Sequence, residues 1–317
     1  MKERDETALR KKKEKKKRFS RRTRKTLACY AILSPQLIGF LVFSLYPILW
    51  AASKAFYYYT GTPSATRFVG LDNFIRIFTI DSSYWETWGN TLLFTIGKLP
   101  LELPLALLIA LCLRKGLKGA GFFRAAFYLP CIISVAIVGL IFTNLFDYFG
   151  FINAWLMKTG MADAPVEWFS HPWTARAALI VGSIWSSFGI NVLYFISALS
   201  NVPEELYECA RLDGASRWVT FRKITMPMIS PVFSTILLLA INGTLHTCEY
   251  ILATTKGAPH GSTYTVMAYV VNKFVPGFAD MGVNIGYGCA LALVTAIFMG
   301  VIALLYTKLT ARLQNIY

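Results

Sequence analysis

Six long apolar segments constrain the fold of this chain more than any other feature of its sequence. They are predicted at Leu27–Ala55, Trp88–Leu113, Ala125–Phe146, Ala177–Leu199, Ile229–Thr254 and Ile285–Thr307. Each can cross a hydrocarbon core of about 30 Å, which takes roughly 20 helical residues. Lipid offers no partners for backbone polar groups, and the segments lack the alternating polarity of barrel strands. The sequence therefore predicts an all-α polytopic membrane protein with six transmembrane helices.

Composition and the positions of lysine and arginine give the class and the orientation. The chain is 55% hydrophobic and 15% charged, whereas soluble domains carry roughly a quarter charged residues. If the N-terminus is cytoplasmic, segments 1–26, 114–124, 200–224 and 308–317 face inward and hold nearly all the basic residues. Because cytoplasmic segments carry such an excess, we expect both termini in the cytoplasm.

A dense basic run, RKKKEKKKRFSRRTRK, lies within residues 1–25 and carries most of the net charge of +15. One interpretation is an arm that binds nucleic acid or lipid. The other is a cytoplasmic tail that orients the first span and touches anionic lipid, each Lys or Arg contributing about 1 kcal/mol. An apolar segment follows at once, so we favour the tail, with membrane lipid and not nucleic acid as its partner.

Metal, disulfide and nucleotide-binding patterns are missing from the sequence. The 6 cysteines and 3 histidines are scattered, without a Cys-x-x-Cys pair or the spacing of metal ligands. Gly97-Lys98 lacks both the earlier glycine and the following hydroxyl of a phosphate-binding loop. We expect no metal, no cofactor and no catalytic residue in this chain.

Proline and glycine recur within the predicted spans. Either they mark hinges in a bundle that rearranges, or they reflect the ordinary tolerance of membrane helices. They are Pro35, Pro47, Pro100, Pro104, Pro130, Gly139, Gly243, Gly286 and Gly288.

A polar segment, NVPEELYECARLDGASRWVTFRKITMP, separates the fourth and fifth spans. Pro203 suits the first turn of a helix, and Glu204 and Glu205 complement the positive end of its dipole. Leu206, Cys209 and Ala210 are predicted to share a weakly apolar face, with Tyr207 as a further candidate, and Asp213-Gly214 to end the helix. A second helix is expected to carry Trp218, Phe221 and Ile224 on one face as far as Pro227. A short amphipathic helix at a bilayer face usually lies in the interface. This one has little bulky apolar surface, and its small-residue face ringed by acids equally suits docking into a protein groove.

The segment resembles the cytoplasmic EAA loop of permease subunits of ATP-binding-cassette (ABC) importers. That pattern is Glu-Ala-Ala, three residues, Gly, nine residues and Ile-x-Leu-Pro. Cys209 replaces the first Ala and Met226 replaces Leu, and both substitutions keep size or hydrophobicity. The matching residues are Glu208, Ala210, Asp213, Gly214, Ala215, Phe221, Ile224 and Pro227.

The resemblance extends over most of the chain after the basic tail and is greatest to the carbohydrate branch, the maltose-type permeases. It includes YAILSPQLIGFLVFSLYPILWAASKAF, FVGLDNFIRIF, FFRAAFYLPCIIS, KGAPHGSTYTVMAYVVNKF and GYGCALALV. It implies the type I ABC importer transmembrane fold in a bacterial plasma (inner) membrane. The implied organisation is a tail at 1–26, a first helix and outer loop at 27–87, a five-helix transmembrane domain at 88–307 with its coupling loop at 200–227, and a cytoplasmic end at 308–317.

The resemblance also implies a mechanism and partners. The loop would be a coupling helix seated in a cleft of a separate ATPase, which moves when two ATPases close around ATP. Glu208 would pair with a basic residue there, Gly214 would allow the turn, and Ala210 and Ala215 would permit close approach. ATP and Mg would be held by the ATPase dimer. A second permease, giving a heterodimer, and an extracellular solute-binding protein complete the expected assembly.

Polar residues within the fourth and fifth spans are candidates for the substrate path, since polar groups in spans favour cavities. Gly243, Thr244 and Thr247 share a predicted helical face. In the maltose-type family these two spans hold the sugar, and Ser187 also aligns by position. Hydrogen bonding between helices is the alternative role. The candidates are Ser187, Asn191, Tyr194, Asn242, Gly243, Thr244 and Thr247.

Two charged residues in the second span, Lys98 and Glu102, are one helical turn apart and are expected to pair for structural reasons. Two other classes of function stay open. A secondary transporter driven by an ion gradient is weakened by the missing repeat and by the lack of paired carboxylates in the spans. A membrane enzyme has only His246 and Glu249 as a hint, without a nucleophile–base or metal cluster.

Overall fold

The computed structural model describes Thr23 and residues 25–62, 66–114, 119–274 and 283–314, with side chains to residue 310. Residues 1–22 and 24 of the predicted tail therefore lie outside the described residues, as do Lys115, Lys118 and residues 315–317.

Helices dominate the described residues. The long ones are α1 (Lys25–Lys54), α3 (Ser82–Arg114), α7 (Pro172–Ser200), α10 (Met226–Leu245) and α13 (Ile285–Gln314). The shorter ones are α2 (Asp72–Thr79), α4 (Ala120–Ile132), α5 (Val135–Leu145), α6 (Phe151–Lys158), α8 (Glu204–Leu212), α9 (Arg217–Thr220), α11 (Glu249–Thr254) and α12 (Val266–Phe274). Strands β1 (Tyr57–Tyr58) and β2 (Arg67–Phe68) pair antiparallel after α1.

Five helical stretches of the described chain are long and apolar enough to cross a membrane, and the bent pair α4–α5 brings the number to six if it is counted as one span. The predicted third span, Ala125–Phe146, is thus wrong as a single helix, since its two halves meet at 95°. Ile133 and Ser134 both have extended ψ values, 136° and 134°. Pro130 lies just before them and lacks a backbone N–H, which weakens the end of α4.

The predicted fifth span, Ile229–Thr254, is likewise interrupted. α10 ends at Leu245, and Cys248 takes φ −132° and ψ −64° before α11 begins. The Thr265 hydroxyl donates to the Thr247 carbonyl, which the break leaves without a helical partner. The break between α10 and α11 is therefore stabilised by a hydrogen bond from the loop that precedes α12.

Two π turns accommodate prolines inside long helices. Leu41–Leu45 lies just before Pro47, and Phe221–Thr225 lies just before Pro227. A proline ring clashes with the carbonyl four residues earlier in a regular α-helix. The wider turn relieves that clash, so α1 stays continuous and α9 runs into α10 without a stop.

Close helix crossings join the spans in addition to three clusters of buried apolar side chains. A Cβ on Gly189 of α7 would lie 2.0 Å from the Phe127 carbonyl oxygen of α4. A Cβ on Gly139 of α5 would lie 2.9 Å from Ala253 of α11. The two halves of the bent pair are thus held against different helices. Large apolar side chains such as Phe43, which is 81% exposed, lie on the outer surface of the helices, where lipid would contact them.

Two polar clusters fix the loops between spans. Asp81, just before α3, accepts hydrogen bonds from the hydroxyls of Tyr269 in α12 and Tyr287 in α13. Burial and the hydrogen bond to Asp81 raise the pKa of the Tyr269 phenol. Asn153 of α6, 1% exposed, donates to the Val166 carbonyl at 2.9 Å and accepts from the Val166 amide at 3.1 Å.

Candidate functional site

The polar loop, residues 201–227, forms the predicted helix and glycine turn. α8 begins at Glu204, after Pro203 as the N-cap residue, and ends at Leu212. Gly214 has φ +70°, which L side chains rarely adopt. Its amide donates to the Arg211 carbonyl at 3.2 Å, and the Ala215 amide donates to the Ala210 carbonyl at 2.9 Å. These two bonds form a Schellman cap, so the predicted stop at Asp213-Gly214 is confirmed.

The second predicted helix is not a separate element. α9 begins after Ser216, whose hydroxyl accepts from the Val219 amide at 3.4 Å, and continues through the π turn into α10. The segment is the N-terminal end of the fifth span, because the π turn carries the helix through Pro227 without interruption. Trp218 stacks on Phe221 at 5.7 Å between ring centroids, and Trp218 remains 66% exposed.

The predicted contact residues of the loop divide between its two faces. Glu208, Asp213 and Gly214 are exposed, whereas Ala210 is buried within the chain. Ala215, Phe221, Ile224 and Pro227 are half-buried. The expected common face of Leu206, Cys209 and Ala210 is wrong, because Leu206 and Cys209 point outward while Ala210 points toward the spans.

The outward face of α8 carries acids beside apolar side chains. Glu208 lies 3.9 Å from Arg211, and both side chains are largely exposed, at 63% and 70%. Such a pair contributes little by itself, so Glu208 stays available to another cation. Leu212, one turn further on, is 88% exposed. α8 therefore presents exposed acids beside the exposed apolar side chains of Leu206 and Leu212.

The inward face of α8 carries Tyr207, the further candidate for the predicted apolar face. Its hydroxyl lies 3.1 Å from the Thr225 Oγ1, and the Arg114 guanidinium lies 4.3 Å from its ring centroid. The sequence signal was weak. It consisted of one aromatic residue three positions before Ala210, the spacing of a shared helical face.

Two of the three candidate path residues on α7 bond to a buried carboxylate of α3. Glu102 Oε1 accepts from Ser187 Oγ at 2.6 Å and from Asn191 Nδ2 at 2.7 Å. Glu102 Oε2 lies 3.6 Å from Lys98 Nζ, with the two side chains 1% and 7% exposed. The predicted Lys98–Glu102 pair is confirmed. Ser187 and Asn191 therefore serve as links between helices in this structure, the alternative role considered for them.

The other candidate path residues do not share one helical face. Thr244 is buried and donates to the Ala240 carbonyl at 2.8 Å, whereas Asn242 and Gly243 are exposed. Thr247 follows the end of α10, and its hydroxyl donates to the Gly243 carbonyl at 3.3 Å, so these two residues stay adjacent while the Thr244 side chain is buried. Tyr194 of α7 is 39% exposed. Among the residues that the structure describes, no three His, Cys, Asp or Glu side chains come together as metal ligands would.

Comparison with known proteins gives a consistent result. Residues 102–315 match the family described as "Binding-protein-dependent transport system inner membrane component". The probable ABC transporter permease protein YesP of Bacillus subtilis is 35% identical over 91% of this chain and 92% of its own length. The lactose transport system permease protein LacF of Rhizobium radiobacter is 30% identical over 79% and 85%, respectively.

Two solved structures share the fold. One belongs to a bacterial ABC transporter involved in the import of the acidic polysaccharide alginate, with a TM-score of 0.80, 24% identity and coverage of 93% of this chain and 99% of that one. The other is the bacterial alginate ABC transporter in complex with an alginate pentasaccharide-bound periplasmic protein, with a TM-score of 0.78, 25% identity and coverage of 91% and 96%. This chain, a multi-pass membrane protein, belongs to the family of inner membrane components of binding-protein-dependent transport systems.

Proposed function

We propose that this chain is one of two permeases of an ATP-driven importer for a sugar or oligosaccharide. The observation that carries the proposal is α8, a short capped helix that presents Glu208, Asp213 and Gly214 outward at the end of the spans. A dimer of ATPase subunits, holding ATP and Mg, would bind this outward face. This chain would supply the path and receive the movement.

The substrate class rests on the relatives and on the polarity of the spans. One relative is named for lactose and another, from Bacillus subtilis and 32% identical, for arabinooligosaccharides. One solved relative was crystallised with a pentasaccharide-bound periplasmic protein. An extracellular binding protein is therefore the expected donor of the sugar. Exposed Tyr194, Asn242 and Gly243 are the candidate contacts that the Glu102 cluster leaves available.

Orientation follows from the same proposal. The loop at 201–227 must be cytoplasmic to meet the ATPases, which places both termini there and α12 outside. This agrees with the excess of lysine and arginine in the segments assigned to the inside.

Reconstitution tests the proposal with Glu208→Ala. The importer is assembled from this chain and the permease, ATPase and binding protein expressed from neighbouring genes, then placed in proteoliposomes without an ion gradient. If Glu208 pairs with a basic residue that is buried on docking, its loss leaves that charge uncompensated, at a cost of about 3–5 kcal/mol. We expect ATP-dependent sugar uptake to fall at least tenfold while the chain remains folded.

Glu204→Ala is the matched control, since Glu204 is an exposed acid on the same helix, one turn away from Glu208. Uptake should persist in that variant. Full uptake by Glu208→Ala would contradict the assigned coupling role. Uptake that requires an ion gradient and not ATP would favour the secondary transporter instead.

A further inference from the structure

Tyr207 is the side chain of α8 that reaches the ends of two spans. It lies near the middle of α8 and is half-buried among the side chains that pack between α3, α7 and α10. Its hydroxyl meets Thr225 Oγ1 at 3.1 Å. Its ring faces the Arg114 guanidinium at 4.3 Å.

The two partners belong to different helices. Arg114 is the last residue of α3. Thr225 is the last residue of the π turn that joins α9 to α10, and it is 3% exposed. Tyr207 therefore connects α8 to the ends of the second and fifth spans through one side chain.

The rest of α8 is joined to the spans mainly through turns. At one end lies the 201–203 connection after α7, and at the other Gly214, with its left-handed backbone. A helix held only by its two ends can tilt without moving its neighbours. A contact near its middle, on the inward face, removes that freedom. Ala210, buried one turn later, lets α8 lie close enough for the contact to form.

We propose that Tyr207 is a positioning residue that transmits displacement of α8 to α3 and α10. Its hydroxyl acts on α10 through Thr225, and its ring acts on α3 through Arg114. This inference rests on the proposed function, because α8 is displaced only if an ATPase binds its outward face. The anchoring itself is a property of this chain alone and can be measured without partners.

Hydrogen exchange on the purified full chain in lipid nanodiscs tests the anchoring. Tyr207→Phe keeps the ring and removes the hydroxyl, and Thr225→Val removes the same bond from the other side. Each should speed exchange of the α8 amides by about three- to tenfold, the loss of one net hydrogen bond. Tyr207→Leu also loses the cation–π contact and should add about another two- to fivefold.

Thr220→Val is the matched control, because the Thr220 hydroxyl donates to the Ser216 carbonyl within its own helix at 3.0 Å. Exchange in α8 should be unchanged in that variant. Tyr207→Phe and Thr225→Val should also fail to add in the double variant, since they remove one bond. Unchanged α8 exchange in both single variants would overturn the anchoring.

The assembled importer tests transmission. Tyr207→Phe and Thr225→Val should lower the number of sugars imported per ATP hydrolysed, with the ATPase still bound. A loss of bound ATPase would assign Tyr207 to docking and overturn the proposal, as would unchanged import per ATP. If no ATPase joins the wild-type chain, the proposed function fails, and the exchange experiment still decides whether Tyr207 anchors α8.

Discussion

The Glu102 cluster gives a prediction whose magnitude follows from its contacts. Glu102 is 1% exposed and shares its two oxygens between Lys98 on one side and Ser187 and Asn191 on the other. Removing its charge by Glu102→Gln leaves the buried ammonium of Lys98 without a counter-charge. Breaking a buried pair in this way costs about 3–5 kcal/mol. The 3.6 Å separation is longer than a charge-assisted hydrogen bond, so we expect the lower end.

The partner variant and the double variant sharpen the prediction. Lys98→Met leaves a carboxylate that keeps two hydrogen-bond donors from α7, so its cost should be smaller, about 2 kcal/mol. The double variant has no charge left to bury and retains an acceptor for Ser187 and Asn191. It should lie within about 1 kcal/mol of the wild type, so the two single losses do not add.

Thermal unfolding of the full chain in detergent ranks the stabilities of these variants. The folded fraction remaining at each temperature is monitored by size-exclusion chromatography of a fluorescent fusion. A loss of about 3 kcal/mol corresponds to a decrease of roughly 6 °C or more in the melting temperature. Glu102→Gln should melt first, then Lys98→Met, with the double variant near the wild type. Equal melting of Glu102→Gln and the wild type would refute the reasoning, as would a double variant less stable than either single one.

Three further predictions concern helix packing and the loops between spans. Gly189→Ala should cost about 1–3 kcal/mol, because the new methyl would lie 2.0 Å from the Phe127 carbonyl oxygen and force α4 away, which lowers the melting temperature. Asn153→Ala should lower the free energy of unfolding by about 3 kcal/mol, because buried backbone groups lose their hydrogen-bond partner. Faster proteolysis of the loop after α6 would show this loss. Tyr269→Phe should flatten the loss of stability above pH 10. Because the pKa of this phenol beside Asp81 is raised on folding, its contribution to the free energy of unfolding is full below the unfolded-state pKa of about 10 and falls at higher pH. Melting temperatures measured between pH 8 and 11 test this.

Each of these variants has a control in the same chain. Gly39→Ala adds the same methyl at a position with nothing within 4 Å of it. Asn144→Ala removes an exposed amide that bonds only the Leu140 carbonyl of its own helix. Tyr46→Phe changes a phenol that is 66% exposed. Matching losses in a variant and its control would remove the structural explanation for that position.

Much of the fold could be predicted from the sequence because lipid restricts backbone choices. The lengths of the apolar segments predicted the positions of α1, α3, α7, α10 and α13. Gly214 predicted where α8 ends. The two breaks could not be predicted in this way. Ile133 and Ser134 are flanked by apolar residues on both sides, and α4 and α5 pack against different helices, α7 and α11, that are distant in sequence. The break at Thr247 could not be predicted from local sequence, because the residue that bonds its carbonyl, Thr265, lies 18 residues later.

The candidate site was predicted unevenly for the same reason. Residue spacing located Glu208, Asp213 and Gly214, since caps and exposed acids depend on local sequence. Their roles toward partners stay predictions. Spacing did not indicate that Ser187 and Asn191 would bond Glu102, which lies 85 and 89 residues away. It also did not show Tyr207 meeting Thr225, because that contact depends on the turn at Gly214.

The π turn at Phe221–Thr225 has a consequence for the angular phase of the fifth span. A turn closed by a bond from the Met226 amide to the Phe221 carbonyl contains one residue more than a regular helical turn. One residue corresponds to about 100° of rotation. Side chains of α9 are therefore offset by about that angle from the rows they would join on α10. The azimuth at which the polar loop leaves the bundle is set by this single extra residue, independently of the face that α10 turns toward lipid.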